Sequence, residues 1–567
     1  MPSLHAFSTA SHFCCLIANA HRFRYIHFHV RFHDKLRSDI QHWERILEAR
    51  GAFSSVRRLS FNGENPDNVE EVGNDDYYRT FKGHFEERDE WTDTRGTWGA
   101  VTAIDYHTTG SWEPLSLFLA KLVGLRELFW DVFAQFPKCM LDVLHQDIPR
   151  CRLDLVQFTI GDLGRDLNGS RDSYEYALAT SPSLASIAYR FYWIQLHAVY
   201  AEHVTMQMAA GFAPNLTQLY LSHDCLSHPE DVVVKDSVGP LQPWQPQHYF
   251  QSKVRSLSLH DPGPEYLANL NKVVPFRQLT TLRLSMFTRF KIMATVAEYQ
   301  FNSLECLVLD LRHHSQPRTP DIVAALLLSR LPPLRSLLLK GVTYQESTKA
   351  ALKHHGRSLR RLGIITTLHI HNTWETIAGI HQSCANLRDL TLRIPRSMGD
   401  AHEVKLYQEL SKISSLNHLT LELDCGASNT RLAGSYESDR KHVLINLAVD
   451  EGLVRAIFAI LTRSSSSLLQ SFDVRVRGDC ASHGVEYFER LMENTTWQVF
   501  LASDGVFVHS HFKNKHQDPR AHYIKQEAKY GMVQTPCCQH WCELWPPSNT
   551  SWVYDWHSFP LQLDDCA

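Results

Sequence analysis

The 567-residue sequence lacks the features of membrane and nucleic-acid-binding proteins. Its longest apolar stretch outside the N-terminal region, Ile322 to Leu328, is far below the ~20 residues that a membrane-spanning helix needs. Positive charge is not in excess, since 57 Lys and Arg stand against 61 Asp and Glu and the formal net charge is -4. A nucleic-acid binder displaces counterions from phosphate with a basic surface. We therefore expect no membrane and no nucleic acid as partner.

A disulfide framework and a secretory signal are also missing. The 13 cysteines are odd in number and scattered along the chain, which favours a reducing compartment over a secreted, disulfide-linked domain. The apolar run from Phe13 to Ala18 has only six residues and no preceding Lys or Arg, unlike a signal peptide. These observations predict a cytoplasmic or nuclear protein.

Motifs of catalysis and metal binding are scarce. The segment with Cys537, Cys538, His540 and Cys542 carries zinc-type ligands, but its spacing matches no zinc motif, and a buried aromatic-rich cap is the preferred interpretation. The pairs His313-His314 and His354-His355 lie at predicted loop and helix-end positions, where we expect solvated imidazoles. No GxSxG elbow, HExxH pair or kinase signature occurs. We expect no metal, no cofactor and no enzyme, although a site assembled from distant residues remains an alternative.

One phrase, LxxLxL, recurs along the middle of the chain. Six copies begin at Leu216, Leu279, Leu304, Leu334, Leu387 and Leu416, and two variants begin at Val254 and Leu359. Successive starts are 25 to 38 residues apart, near the 20 to 29 residues of leucine-rich repeats. The chain is therefore predicted to be a repeat protein.

The alternation within the phrase predicts a strand whose leucines point inward and whose intervening side chains point outward. Helix-like segments follow, with N-terminal signals at Asn372, at Asp400 and at Thr319-Pro320. One such unit cannot bury its leucines alone, so the units are expected to stack. The predicted fold is α/β: an irregular leucine-rich-repeat solenoid with parallel strands on the concave face, helices on the convex face and a short helical N-terminal segment.

Fainter copies of the phrase begin at Val56, Leu125, Leu184 and Leu469 and extend the predicted solenoid over residues 51–480. Polar, glycine-containing stretches near 64–93 and 425–440 are predicted insertions, and eleven acidic residues lie in the first. Residues 1–50 form the predicted helical segment. Residues 481–567, rich in tryptophan, form a predicted C-terminal cap that covers the last apolar edge.

The predicted strand face is the best candidate for binding a target, because its side chains would be open to solvent. The outward residues selected as target contacts are Tyr220, His260, Arg283, Asp310, Lys340, Arg361, Arg393 and Glu422. Their mixed charges favour a protein as the partner, and only a few interface residues usually carry most of the binding energy.

The N-terminus carries a second pattern: Ser8-Thr-Ala-Ser11, Phe23-Arg-Tyr-Ile26, His33-Asp-Lys-Leu-Arg37 and Trp43-Glu-Arg-Ile-Leu47. Together with the repeats, this order resembles the F-box leucine-rich-repeat proteins of filamentous fungi. The resemblance implies the substrate receptor of a Skp-cullin-F-box ubiquitin ligase, with a still unidentified protein target and no chemistry of its own. The adaptor-binding residues that it implies are Leu4, Phe7, Ser11, Ile17 and Phe23.

The chain begins at Met1 where the second half of an F-box would begin, so the Leu-Pro opening helix is not in it. We expect adaptor binding either through residues 1–30 or through upstream sequence. The alternative function is a leucine-rich-repeat scaffold without a ubiquitin-ligase role, which would bind partners through the same face and ignore the adaptor.

Overall fold

The structure is a computed structural model, and the description below covers part of the chain. The described residues are 14, 18, 21–63, 112–132, 134–156, 158, 174–192, 204–224, 251–260, 262–285, 292–311, 318–342, 345–366, 373–426, 436–463, 468–477, 496–502, 505–511, 536–546 and 555–563. The predicted insertion near 64–93 lies outside these residues. Most of the predicted insertion near 425–440 does as well.

The chain divides into two compact units, Met1–Leu284 and Ser285–Ala567. The strands of unit 1 are β1 (Tyr25–Val30), β2 (Arg58–Gly63), β3 (Glu127–Val132), β4 (Arg152–Leu155), β5 (Leu184–Tyr192), β6 (Gln218–Asp224), β7 (Ser256–His260) and β8 (Thr281–Ser285). Its helices are α1 (His33–Arg50), α2 (Glu113–Ala120), α3 (Lys138–Gln146), α4 (Tyr174–Ala179) and α5 (Pro264–Val273).

Unit 2 has the same alternation of strands and helices. Its strands are β9 (Cys306–Asp310), β10 (Ser336–Val342), β11 (Arg361–Thr366), β12 (Asp389–Pro395), β13 (His418–Asp424), β14 (Ser471–Arg477), β15 (Thr496–Ala502) and β16 (Gly505–His511). Its helices are α6 (Ile292–Val296), α7 (Arg318–Arg330), α8 (Glu346–His355), α9 (Trp374–Ser383), α10 (Ala401–Ser411), α11 (Tyr436–Leu447), α12 (Glu451–Leu461) and α13 (Pro536–Leu544).

Within each unit the strands follow one another in the sheet in the order in which they occur in the chain. The registered pairs from β1 to β7 are parallel, and so are those from β9 to β14. The pairs β14–β15 and β15–β16 are antiparallel. A mixed α/β fold with mainly parallel strands is therefore confirmed.

The repeated phrase explains this register. In β10, Leu337 is paired with Leu307 of β9 and Leu362 of β11, and all three are fully buried. Each repeat thus places its leucines in line with those of its neighbours, and full burial of one such side chain stabilises the fold by about 1.5–3 kcal/mol. In all eight phrases from Leu216 to Leu421 the last four residues lie on a strand, and the four fainter copies fall on β2, β3, β5 and β14.

A backbone ladder fixes the start of each strand. The residue immediately before a strand offers its carbonyl oxygen to two successive amides of the next repeat: that of Arg335 accepts from Arg360 N at 2.8 Å and Arg361 N at 3.1 Å. The carbonyls of Arg360 and Arg388 accept in the same way from the repeats that follow them. Equivalent residues are thus held side by side at the N-terminal ends of the strands.

The N-terminal segment differs from the prediction of a helical region over residues 1–50. Strand β1 occupies Tyr25–Val30 and pairs in parallel with β2, and only then does α1 begin. The physical reason is visible in the sequence, since Ile26, Phe28 and Val30 alternate with polar or amphipathic side chains and are buried. The prediction of a wholly helical segment is therefore wrong at β1.

The cap signal at Asp400 is confirmed. Its side chain accepts a hydrogen bond from Glu403 N at 2.9 Å and opens α10. Asp450, which was not predicted, caps α12 in the same way by accepting from Leu453 N at 2.8 Å. Asn372 lies outside the described residues, and α9 begins after Thr373.

The described C-terminal residues contribute β15, β16 and α13 to unit 2. Trp541, Trp545 and Trp556 are buried together, with ring centroids 4.8 to 6.4 Å apart. The Nε1 of Trp545 donates to the carbonyl of His557 at 2.9 Å. Among the helices that the structure describes, none is both long and apolar enough to cross a bilayer.

Candidate interaction surfaces

The strand-face residues predicted as target contacts have unequal access to solvent. Six of them are half-buried: Tyr220, His260, Arg283, Lys340, Arg361 and Arg393. The other two are buried, with Asp310 5% and Glu422 4% exposed. The expectation that the outward positions are open to solvent is therefore wrong for Asp310 and Glu422, and the role of all eight in target binding stays a prediction.

The register brings two pairs of these residues together. Asp310 of β9 is paired with Lys340 of β10, and Arg393 of β12 is paired with Glu422 of β13. Arg393 donates from Nη2 at 2.7 Å and from Nε at 3.1 Å to one carboxylate oxygen of Glu422. Tyr220 and His260 lie on the adjacent strands β6 and β7, where their register positions differ by two residues.

Glu422 lies among arginines. Burial alone would raise the pKa of its carboxyl, but Arg393, Arg477 and Arg475 together hold that pKa below its ordinary value. Its charge is therefore a fixed part of the strand face. The carboxylate of Glu422 is desolvated and bound to Arg393.

Strands β9 and β10 are buried on both faces over most of their length. Val308 and Leu338, which occupy outward positions, are 9% and 1% exposed. Cys306 and Ser336, at the preceding outward positions, are each 6% exposed. This part of unit 2 therefore does not present an open strand face.

Four of the five residues predicted to bind an adaptor lie outside the described residues: Leu4, Phe7, Ser11 and Ile17. Phe23 is described, and only 6% of its surface is exposed. Its ring therefore contributes to the packing of unit 1. Adaptor binding stays a prediction.

A groove at the N-terminal ends of β10 to β13 was not predicted. It encloses about 760 Å³ and is lined by Arg335, Arg357, Arg360 and Arg388. Arg335, Arg360 and Arg388 are the successive ladder residues described above, and Arg357 lies in the turn after α8. All four arginines are exposed. We call this feature the arginine groove.

The arginines of this groove are only partly neutralised. Nη1 of Arg335 lies 3.2 Å from a carboxylate oxygen of Glu305. Both side chains are exposed, and such a pair contributes little to stability. Across the described residues, no carboxylate forms an ion pair with Arg357, Arg360 or Arg388. Three guanidinium groups of like charge therefore face solvent next to one another.

A regular sequence signal marks the arginine groove. The dipeptide Leu-Arg opens three consecutive phrases, at Leu334-Arg335, Leu359-Arg360 and Leu387-Arg388. The predicted target contacts do not include this position, because it precedes the strand and alternation assigns no face to it. The signal was available in the spacing of the phrases.

The opposite end of β12 holds a buried charge network. Nη1 of Arg396 lies 2.6 and 2.7 Å from the two carboxylate oxygens of Glu403, and both side chains are fully buried. Glu403 also accepts from Ser397 N, Gly399 N and the hydroxyl of Tyr407 at 2.7 to 2.9 Å. Burial raises the pKa of Tyr407 well above its ordinary value. The contacts of this network are made within the protein, so it serves the fold.

The predicted solvated pair His354-His355 is half right. His354 is exposed, but His355 is 1% exposed and bridges two backbone groups: Nε2 lies 2.9 Å from the carbonyl of Leu328, and Nδ1 accepts from Leu334 N at 3.3 Å. Burial lowers the pKa of His355. Its ring therefore supports the turn that precedes β10. The pair His313-His314 lies outside the described residues.

The cysteine- and histidine-containing segment forms α13. His540 is buried beside the tryptophans, with Nδ1 3.5 Å from Glu543, and Cys542 is exposed. Over the residues that the structure describes, no three His, Cys, Asp or Glu side chains are grouped so that they could hold a metal ion.

Comparison with known proteins gives matches among solved structures alone. No family model matches this chain, and neither does any curated protein. Among solved structures, a chain in the crystal structure of the Rad7 and Elc1 complex of yeast is similar, with 13% identity and a TM-score of 0.35. The similarity covers 75% of this chain and 92% of that chain. Values this low support no inference about binding or activity.

Proposed function

We propose that this chain is a non-catalytic, protein-binding leucine-rich-repeat protein that acts in the cytoplasm or nucleus as the substrate receptor of a Skp-cullin-F-box ubiquitin ligase. Its repeats would belong to an irregular leucine-rich-repeat solenoid, with the strands on the concave face. In this role the N-terminal segment binds the adaptor and the repeats hold the target. The receptor supplies position and no chemistry.

The in-register stacking of the phrases carries the protein-binding part of the proposal. Because Leu390 of β12 aligns with Leu419 of β13 and Phe472 of β14, the side chains between these residues also recur at fixed positions on neighbouring strands. Such ladders give a repeat protein a continuous surface made from many short units. The Arg393–Glu422 pair on the strand face and the arginine groove at the N-terminal ends of the strands supply specific polar features.

The N-terminal sequence carries the adaptor part. Leu4, Phe7 and Ile17 supply the apolar side chains that the resemblance to F-box proteins assigns to the adaptor interface. The test is co-purification of the full chain with the Skp adaptor. We expect the triple variant Leu4→Asp/Phe7→Asp/Ile17→Asp to lose the adaptor.

A matched control uses apolar surface residues elsewhere in unit 1. Leu117 and Val123 are 62% and 70% exposed, so Leu117→Asp/Val123→Asp changes charge and hydrophobicity without touching the N-terminal segment. This control is expected to keep the adaptor. If neither this chain nor a version that restores in-frame upstream sequence binds the adaptor, the ligase role is wrong and the repeat scaffold becomes the better account.

A further inference from the structure

The arginine groove holds cationic groups at regular spacing. Arg335, Arg360 and Arg388 precede adjacent parallel strands, and the backbone ladder between them holds their positions. Neighbouring strands lie about 4.8 Å apart, so the three residues span roughly 10 Å. Arg357 adds a fourth guanidinium from the turn beside Arg360.

This arrangement is electrostatically incomplete. The protein as a whole carries a formal net charge of -4, yet Arg357, Arg360 and Arg388 form no ion pair with any carboxylate of the described residues. Like charges at such short separations repel one another. A bound anionic group relieves this repulsion and makes charge-assisted hydrogen bonds with the guanidinium donors.

The groove also offers neutral and apolar contacts. Asn386 is held in place by donating from Nδ2 to the carbonyl of Arg357 at 2.8 Å. Asn417 is the ladder residue that follows Arg388, immediately before β13, and it also lines the groove. Leu468, 60% exposed, lines the groove as well. Amide groups beside guanidiniums suit a polar backbone, and an exposed leucine suits an apolar side chain. These are features of a peptide ligand.

The geometry points to the arginine groove as a docking site for a carboxylate-rich, extended peptide segment of a partner protein. An extended peptide places alternate side chains about 6.6–6.8 Å apart on one face, so several carboxylates reach guanidiniums on different rungs at once. A single phosphate group is too small to contact a row of roughly 10 Å. Single-stranded nucleic acid is bound mainly by stacking on aromatic side chains, and the residues that line the groove include none.

This inference rests on the proposed function only in taking the chain to be protein-binding. It assigns a site at the N-terminal ends of the strands of unit 2, apart from the strand face and the N-terminal segment. It also gives the chemistry of the partner, namely a run of aspartate or glutamate in an extended segment.

The test measures fluorescence polarisation with the full chain at physiological salt. The probe is a labelled ten-residue peptide in which glutamate alternates with serine. Three further probes are its glutamine counterpart, a serine peptide with one phosphoserine, and a ten-nucleotide single-stranded RNA. We expect the glutamate peptide to bind most tightly and the glutamine peptide not to bind. Tighter binding of the phosphopeptide or the RNA would overturn the assignment.

The variant Arg360→Gln/Arg388→Gln is expected to weaken the glutamate peptide by roughly tenfold or more, because hydrogen bonds to charged groups are lost. The matched control is Arg126→Gln/Arg150→Gln, which removes the same charge at exposed positions of unit 1, Arg126 being the equivalent ladder residue before β3. Equal weakening by both variants would show non-specific attraction and refute the site.

Two checks keep the outcome interpretable. Arg360→Lys/Arg388→Lys retains the charge but not the planar fork, so we expect an intermediate loss of affinity. If the glutamine variant does not fold, Arg357→Gln/Arg388→Gln replaces it. Adaptor co-purification is measured in parallel. A chain that binds adaptor but not peptide overturns this inference alone. If the chain binds peptide, and neither it nor a version with restored upstream sequence binds adaptor, the ligase role alone is overturned.

Discussion

The two ends of the parallel strands in unit 2 use arginine in opposite ways. At the N-terminal ends, Arg360 and Arg388 are exposed and have no carboxylate partner among the described residues. Beyond the C-terminal end of β12, Arg396 is buried and its guanidinium contacts both carboxylate oxygens of Glu403. Burial decides the outcome, because a desolvated charge without a partner is costly whereas a hydrated one is not. The first end is available for binding, and the second holds the fold together.

Removal of the buried charge should have the largest effect. Glu403→Gln leaves Arg396 buried without its counter-charge, and such a change costs about 3–5 kcal/mol. The free energy of unfolding from urea titration measures it. The control is Glu409→Gln on the same helix, which breaks the surface pair with Lys412 and should cost about 0–1 kcal/mol.

The double variant Arg396→Met/Glu403→Leu separates loss of a charge from loss of a pair. Replacement of both members of a buried pair by apolar side chains is often close to neutral. We therefore expect it to regain most of the stability that Glu403→Gln loses. If the double variant is as unstable as the single one, the stabilising contribution of Glu403 comes from its hydrogen bonds with the backbone amides of Ser397 and Gly399 rather than from its pair with Arg396.

Asp450 gives the next largest effect. Its Oδ1 accepts from Leu453 N and from the hydroxyl of Ser558, and its Oδ2 accepts from Ser558 N, at 2.7 to 2.9 Å. Asp450→Ala should cost about 1–3 kcal/mol, since a helix cap and two contacts to the C-terminal segment are lost together.

Limited proteolysis provides a second measurement for Asp450→Ala, with earlier cleavage expected near Ser558. Glu451→Ala is the control, because Glu451 is the next residue along the chain and its exposed carboxylate pairs with Arg455. If both variants are cleaved at the same rate near Ser558, the contact between Asp450 and Ser558 does not hold the segment.

His355, which supports the turn before β10, makes the stability of the fold sensitive to acid. Burial lowers its pKa from the ordinary value of 6.5, so the unfolded chain takes up a proton near that pH and the folded chain only at lower pH. The stabilisation is complete above about pH 6.5 and is lost as the pH falls below it, by at most about 1.4 kcal/mol per pH unit.

Urea titrations between pH 7.5 and 5 should show a smaller loss of stability for His355→Gln, whose amide has a donor and an acceptor for Leu328 and Leu334. His354→Gln, one residue earlier and exposed, is the control and should behave like the unmodified chain. Identical slopes for all three proteins would remove His355 as the source of the pH dependence.

The smallest expected effect is the change in the free energy of unfolding when an arginine of the arginine groove is replaced. Arg360→Gln removes an exposed, unpaired charge, so the free energy of unfolding should change by no more than about 0.5 kcal/mol in either direction. A loss above about 1.5 kcal/mol would show that Arg360 is structural, and the contrast between the two strand ends would fail.

Sequence reasoning located the strands well because the phrase repeats a strong physical signal. The last two apolar residues of each phrase, from Leu219 to Leu421, lie on the strands that the alternation predicts. Strands β1 and β4 were not predicted. In β1, Ile26 and Phe28 stand where the phrase has leucine, and β4 is only four residues long. The burial of Asp310 and His355 was not predictable, because it depends on packing from other repeats.

The candidate sites were harder to predict than the strands. Alternation assigns a side chain to a face, but it cannot tell whether that face is covered, as Leu338 shows. It also gives no account of residues just before a strand. Leu-Arg at Leu334, Leu359 and Leu387 is a clear spacing signal, but only the structure shows that Arg360 and Arg388 lack carboxylate partners among the described residues.

The backbone ladder also bears on how this chain tolerates changes in length. The carbonyl of Arg255 accepts from the amide of Thr280, which lies 25 residues later in the chain. The carbonyl of Asn417 accepts from the amide of Gln470 in the same way, although the paired residues His418 and Ser471 of β13 and β14 are 53 residues apart. Only the short phrase is fixed by its neighbours, and closing a loop twice as long costs only about 0.6 kcal/mol more. Inserted segments between phrases therefore leave the register intact, so new recognition elements can be added to one repeat at a time.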